Sequence, residues 1–166
     1  MSVRLEVSRV LRASPDRVWA ELADWRGQER WIPLTQVEVT AGPSEGVGGR
    51  VTALSGFRLG PVPVGLLDRF VVTGWTPPGA HPDEPGELAV LHLGPYFTGE
   101  GSFTVYSDPV GARLVCTEVF SLPGGAPVEA LARLALPVMR RGFAASLATF
   151  ARLVEGPAGR SAVTAA

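Results

Sequence analysis

The chain has 166 residues, 46% of them hydrophobic and 19% charged, which suits one globular domain with its own core and excludes a disordered segment. Lys and Arg number 15 against 16 Asp and Glu, a net charge of -1 with no basic block, so a nucleic-acid partner is not expected. The mean hydropathy is +0.20, yet no uninterrupted apolar run approaches the ~18 residues that span a bilayer, and the opening MSVRLEVSRVLRASPD has no signal-peptide core. Stable membrane insertion is therefore not expected, and a cytoplasmic location is. A single cysteine, Cys116, excludes an intrachain disulfide and a cysteine-rich metal site.

In residues 3–12, Val3, Leu5 and Val7 alternate with Arg4, Glu6 and Ser8, a strand with one buried face. Ser14-Pro15-Asp16 supplies a cap, a proline for the first helical position and an acid for the first turn. Val18, Trp19 and Leu22 then predict a short helix over 15–23, and a second short helix is expected from Trp25 to Trp31, stopped by Pro33. Strands follow at Gln36–Thr40, Val47–Arg58, Leu66–Trp75, Leu88–Leu93, Thr98–Ser107 and Ala112–Leu122, separated by turn-rich segments such as 60–63, 76–87 and 108–111.

After Pro123-Gly124-Gly125 the composition changes to that of a helix, expected over 127–155 with Glu129 in its first turn. Leu136, Met139, Phe143, Leu147, Phe150 and Val154 form an apolar stripe, while Arg141, Ala145, Ala148 and Arg152 fall on the opposite side. Pro137 should kink this helix. A single domain over 1–156 and a loose tail over 157–166 are expected.

Seven strands at ~4.8 Å spacing are about 30 Å across, three times the width of one helix, so the sheet has to curl around the single cover available. Glycines 99, 101 and 111 offer bend points. The expected fold is α+β: a seven-stranded curved antiparallel sheet around a long kinked C-terminal helix, with an apolar pocket between them.

Ala13-Ser14-Pro15-Asp16-Arg17-Val18-Trp19 at the entry to the first helix, Trp75-Thr76-Pro77-Pro78 closing a strand, and Gly111-Ala112-Arg113-Leu114-Val115-Cys116-Thr117-Glu118 before the last helix resemble the START-like, helix-grip SRPBCC superfamily. That group includes polyketide cyclase/dehydrase and lipid-transport members, and the resemblance spans roughly residues 3–155. It implies a cavity for sterols, lipids, polyketides or similar hydrophobic molecules, and no particular reaction.

Strand alternation places Leu114, Cys116, Glu118 and Phe120 inward, facing Phe103 and Val105, with Asp68, Phe70, Val72, Val90 and His92 inward on earlier strands. Glu118, among apolar neighbours, is a candidate general acid or base, or else a structural carboxylate paired with an arginine. His92 is a candidate proton shuttle or a satisfied core histidine, whereas His81 lies in a polar loop away from the site. Arg140 borders the Met139–Phe143 stripe, where it could orient a ligand oxygen, neutralise Asp68 or Glu118, or simply extend into solvent. Pocket walls are expected from Trp31, Phe70, Val72, Phe103, Phe120, Met139, Phe143 and Leu147, with Trp25, Tyr96 and Phe97 as core or wall. Cys116 is read as packing. No metal site is expected from the two histidines, and no cofactor, since phosphate-loop, dinucleotide and nucleophile-elbow motifs are missing.

The residues together with the resemblance leave three readings open: a carrier of a small hydrophobic molecule, a polyketide aromatase/cyclase using Glu118 or His92 for proton transfer, and an interaction module for a chaperone or regulator. The oligomeric state is not legible.

Overall fold

The computed structural model describes residues 2–59, 62–79 and 84–156, without the side chains of 57–59, 62 and 63. His81 and the tail over 157–166 lie outside the described residues. The elements in chain order are β1 (Val3–Leu11), α1 (Pro15–Ala23), a 3-10 helix (Arg26–Arg30), β2 (Thr35–Ala41), β3 (Arg50–Leu59), β4 (Val62–Thr76), β5 (Gly86–Pro95), β6 (Thr98–Asp108), β7 (Gly111–Ser121) and α2 (Gly125–Glu155). The seven strands form one antiparallel sheet in the order β1-β7-β6-β5-β4-β3-β2. This is the helix-grip architecture expected from the curling argument.

Two boundaries moved for identifiable reasons. β4 begins at Val62 rather than Leu66, taking in Pro63 where the strand pairs only with β3; a proline is tolerated there because no second neighbour needs its missing N–H. α2 begins at Gly125, after Gly124 in a left-handed conformation (φ 114°), so Glu129 falls beyond the first turn and is buried. It does not serve as the dipole-complementing acid expected at that end.

Curvature comes from irregularities in the ladder. Register shifts lie between Val39 and Ala41 on β2, and at Asp68/Phe70 and Val72/Gly74 where β4 meets β5. Such bulges bend a strand and increase its twist, which is how seven strands fold around one helix.

The Ser14 hydroxyl accepts from the Arg17 N–H and caps α1, whose Val18, Trp19 and Leu22 are buried. Arg30 bonds Glu21 at 2.7 Å and Asp24 at 3.0 Å, locking the 3-10 helix to α1. Glu29 accepts from the Val37 N–H, and Trp25 Nε1 donates to the Ser44 carbonyl, so this segment is stitched to the start of β2 and the loop after it. Trp31 is thereby delivered into the core, where its ring meets Phe150 at 5.1 Å and Phe103 at 6.2 Å, both edge-on.

α2 packs in two distinct ways. Its C-terminal third is shut against the sheet, with Leu147, Phe150, Ala151 and Val154 buried and Glu155 accepting from the Arg12 N–H at the end of β1. Its middle is looser: Leu136, Met139 and Phe143 are only half-buried. The core is correspondingly split. One cluster joins Trp31, Phe70, Val72, Leu114 and Phe150, and a second joins Val3, Phe120 and Ala132 with Phe97, Leu136 and Met139 beside them.

Phe150 is fully buried, so Phe150→Ala should cost about 3–5 kcal/mol of stability through lost contacts and the void left behind. Phe143→Ala, at a half-buried position, should cost clearly less, as read from urea denaturation midpoints.

Candidate functional site

Asp68, His92 and Glu118 meet on the concave face of the sheet. His92 Nδ1 donates to Asp68 at 2.8 Å, and Nε2 donates to Glu118 Oε2 at 3.2 Å. Side-chain exposures are 8% for His92, 16% for Asp68 and 15% for Glu118, so the cluster is largely but not wholly withdrawn from water.

The sheet register explains how side chains on three strands reach one another. His92 on β5 pairs with Phe70 on β4, two residues along that strand from Asp68. On the other side, His92 pairs with Gly99 on β6, while Glu118 on β7 pairs with Gly101. His92 and Glu118 are thus two strands apart, roughly 9.6 Å, and must bridge over β6. They do so above Gly101. A Cβ there would sit 2.7 Å from Glu118 Oε2 and 2.9 Å from His92 Nε2. Gly101 was expected as a bend point; its role in the site is the space it leaves.

Burial alone would disfavour a charged imidazole. Hydrogen bonds from both ring nitrogens to carboxylates, with their negative charge, outweigh it and push the His92 pKa from 6.5 up to about 9. At neutral pH the site is therefore an imidazolium held between two carboxylates, with one negative charge in excess. The ring is framed by Phe97 at 5.0 Å and Phe70 at 5.8 Å. Phe70 belongs to one core cluster and Phe97 packs against the other, so the ions stand at the seam between them.

On β4, the face that carries Asp68 and Phe70 continues outward to Leu66 and Val64, which are 45% and 39% exposed. The concave face opens to solvent on that side.

The other residues singled out from the sequence sort as follows. Leu114, Cys116, Phe120, Val105, Phe70 and Val72 are buried, and Val90 and Phe103 half-buried; Phe103 pairs with Cys116 and Val105 with Leu114. Burial and the charge of Glu118 push the Cys116 thiol well up, which leaves it protonated and unreactive. Trp25 and Trp31 are buried, Phe97 is half-buried, and Tyr96 is 49% exposed, outside the core.

Arg140 does not join the cluster. It is exposed and lines a groove of about 540 Å³ with Arg133, Leu136, Pro137, Arg141 and Ala144, all on α2. The neutralising partner of both carboxylates is His92, not an arginine. A second cleft, about 600 Å³, lies between α1 and the loop after β2, against Trp19, Trp25 and Trp75, and touches none of the three ionic residues. No group among the described residues is arranged to hold a metal ion; Asp68 and Glu118 bind opposite edges of the imidazole and cannot converge on one cation. No described helix is long and apolar enough to cross a membrane.

A family model described as polyketide cyclase / dehydrase and lipid transport matches residues 2–155. The chain belongs to this family. Solved structures agree on the fold: the Zhui aromatase/cyclase of Streptomyces sp. R1128 superposes with a TM-score of 0.69 at 19% identity, covering 96% of this chain and 99% of that one. TTHA0849 of Thermus thermophilus gives 0.68 at 19% identity, covering 92% and 97%. Ara h 8.0201 gives 0.64 at 11% identity, covering 94% and 100%. No curated protein matches the sequence. The polyketide cyclase / dehydrase and lipid transport description sets the kind of ligand at family level, small and hydrophobic or polyketide-like.

Because the folded pKa of His92 lies above the unfolded value, its contribution to stability is fully present below pH 6.5 and is lost as pH rises from 6.5 to about 9. The loss should amount to about 3 kcal/mol at most, with Glu118→Gln flattening the profile and lowering the His92 pKa seen by NMR. Gly101→Val should separate His92 from Glu118 and lower the same pKa, while the Asp68 contact persists.

Proposed function

We propose that this protein binds a small apolar molecule between the concave face of the sheet and the middle of α2, with the ligand's polar end at Asp68–His92–Glu118. The observation that carries this reading is the buried ion cluster itself, set in aromatic walls at the seam of the core. Three ionisable side chains are not needed there for stability, since well-packed apolar residues generally do as well or better, and such clusters concentrate at sites. Trp31, Phe70, Val72, Phe103, Phe120, Met139, Phe143 and Leu147 supply the walls.

The cluster also restricts what the polar end can be. Both N–H groups of His92 are already committed to carboxylates, so what remains for a ligand is acceptor capacity on Asp68 and Glu118 with a surplus negative charge. A hydroxyl, phenol or amine fits; a ligand carboxylate meets repulsion and no free donor. A sterol or a hydroxylated polycyclic polyketide is favoured over a fatty acid of similar size.

Thermal shift with these three ligand types tests the reading. The hydroxylated compounds should raise the Tm and the fatty acid should not, and Glu118→Leu should remove the difference. An equal rise with the fatty acid, or no rise with any of the three, would overturn it.

A second reading, an aromatase/cyclase, is supported by the hydrogen-bonded His92–Glu118 pair and by likeness to the Zhui aromatase/cyclase fold. The imidazolium would hold Glu118 ionised and oriented while its carboxylate takes a proton from an enolisable carbonyl compound. Under this reading Glu118→Gln keeps ligand affinity within a few-fold and loses turnover by on the order of a hundredfold or more. Full turnover in that variant would remove Glu118 from the mechanism.

A further inference from the structure

Two side-chain nitrogens are wholly buried with no hydrogen-bond partner among the described residues, Arg17 Nε and Trp31 Nε1. Arg17 still reaches Glu21 at 3.7 Å through another nitrogen of the same guanidinium, and its side chain is 31% exposed. Trp31 has no such recourse. It is 3% exposed, and the indole N–H is the only polar group its side chain carries. Trp25, 4% exposed, shows the usual outcome, donating its indole N–H to the Ser44 carbonyl at 3.0 Å. An unpaired donor buried in this way costs folding free energy, so its place in the fold needs an explanation.

Its surroundings supply one. Trp31 stands between α2 and the concave face, edge-on to Phe150 from the helix and to Phe103 from β6. Phe103 lies two residues along β6 from Gly101 and on the same face, and Gly101 is the position above which His92 and Glu118 meet. The two positions are roughly 7 Å apart along the strand. A molecule whose polar end rests at Glu118 therefore meets Trp31 when it extends toward the closed end of the grip. Water is a poor acceptor here, because it needs about two to four polar partners and the rings against Trp31 are hydrocarbon. A ligand oxygen has no such requirement, since its own skeleton holds it. The same apolar setting disfavours an anion and selects a neutral carbonyl.

We infer that Trp31 is a second polar anchor of the ligand site, donating its indole N–H to a ligand carbonyl. The ligand class then narrows to hydroxy ketones, with the hydroxyl at Glu118 and the ketone toward Trp31. This rests on the reading of the interior as the ligand site, and it adds a donor where the ion cluster offers only acceptors. Among hydroxylated apolar molecules of one skeleton, Trp31 selects those that also carry a ketone.

Calorimetric titration with matched 5α-androstan-3-ols tests this, one without a ketone and two with a ketone at C11 or C17. At least one ketone should bind the wild-type protein about tenfold more tightly than the ketone-free alcohol, the effect of pairing a buried donor. Trp31→Phe keeps an aromatic ring and removes the donor. It should abolish that advantage and leave the affinity of the ketone-free alcohol within a few-fold. In nitrogen-15-labelled wild-type protein, the Trp31 indole N–H resonance should move downfield with the ketone and not with the ketone-free alcohol; this readout serves if Trp31→Phe does not fold. Equal affinity for all three alcohols would overturn the inference and leave the reading of the site standing. A ketone preference that survives Trp31→Phe, or an indole resonance unmoved by a bound ketone, would overturn it too. Binding of none of the three would strike the reading of the site itself, and this inference with it.

Discussion

One α-helix about 10 Å wide cannot cover seven strands that would span about 30 Å if flat, and the rest of this structure follows from that mismatch. The sheet resolves it by bending at bulges on β2 and along the β4–β5 ladder until its concave face wraps α2. A closed grip forms only where large side chains are available on both surfaces, and this happens at the C-terminal end of α2, where Phe150 meets Trp31. Toward the middle of the helix Met139 and Phe143 stay half-buried, so the grip is looser there.

The ion cluster exploits the same curvature. Side chains on β5 and β7 lie too far apart to touch across an ordinary intervening strand, and a side chain on β6 would fill the space between them. With Gly101 on β6, His92 and Glu118 close the gap, and Asp68 completes the cluster from β4. Mutual neutralisation makes burial tolerable: the imidazole is held charged by its two carboxylates against the cost of desolvation. The geometry leaves the cluster an acceptor with a net negative charge, which gives an otherwise apolar interior a chemical preference.

α2 presents two different faces made from one periodic sequence. The stripe from Leu136 to Val154 faces the sheet, and Leu131, Leu134 and Val138 on the opposite side face outward. Pro137 sits inside a helix that continues through it at the loss of one backbone hydrogen bond.

Much of the architecture was legible in the sequence because it depends on local, periodic signals. Alternation in β1 and β4–β7, the Ser14-Pro15-Asp16 helix entry and the three-and-four spacing along α2 each report on residues close in the chain, and together they specify the elements and their buried faces. The inward placement of Asp68, His92 and Glu118 followed from period two alone. Their convergence did not, because it depends on inter-strand register, on a bulge beside Asp68 and on an empty position at Gly101, none of which has a local signature. Which of the open readings of Arg140 holds, extension into solvent rather than contact with the carboxylates, has a related cause: a helical wheel orders residues around an axis, and only packing decides how far around that axis the sheet reaches. Composition and periodicity determined that one helix would be gripped by a curved sheet. Tertiary structure decided which polar groups meet inside the grip, because side chains distant in sequence come within bonding distance only through the sheet's register and curvature.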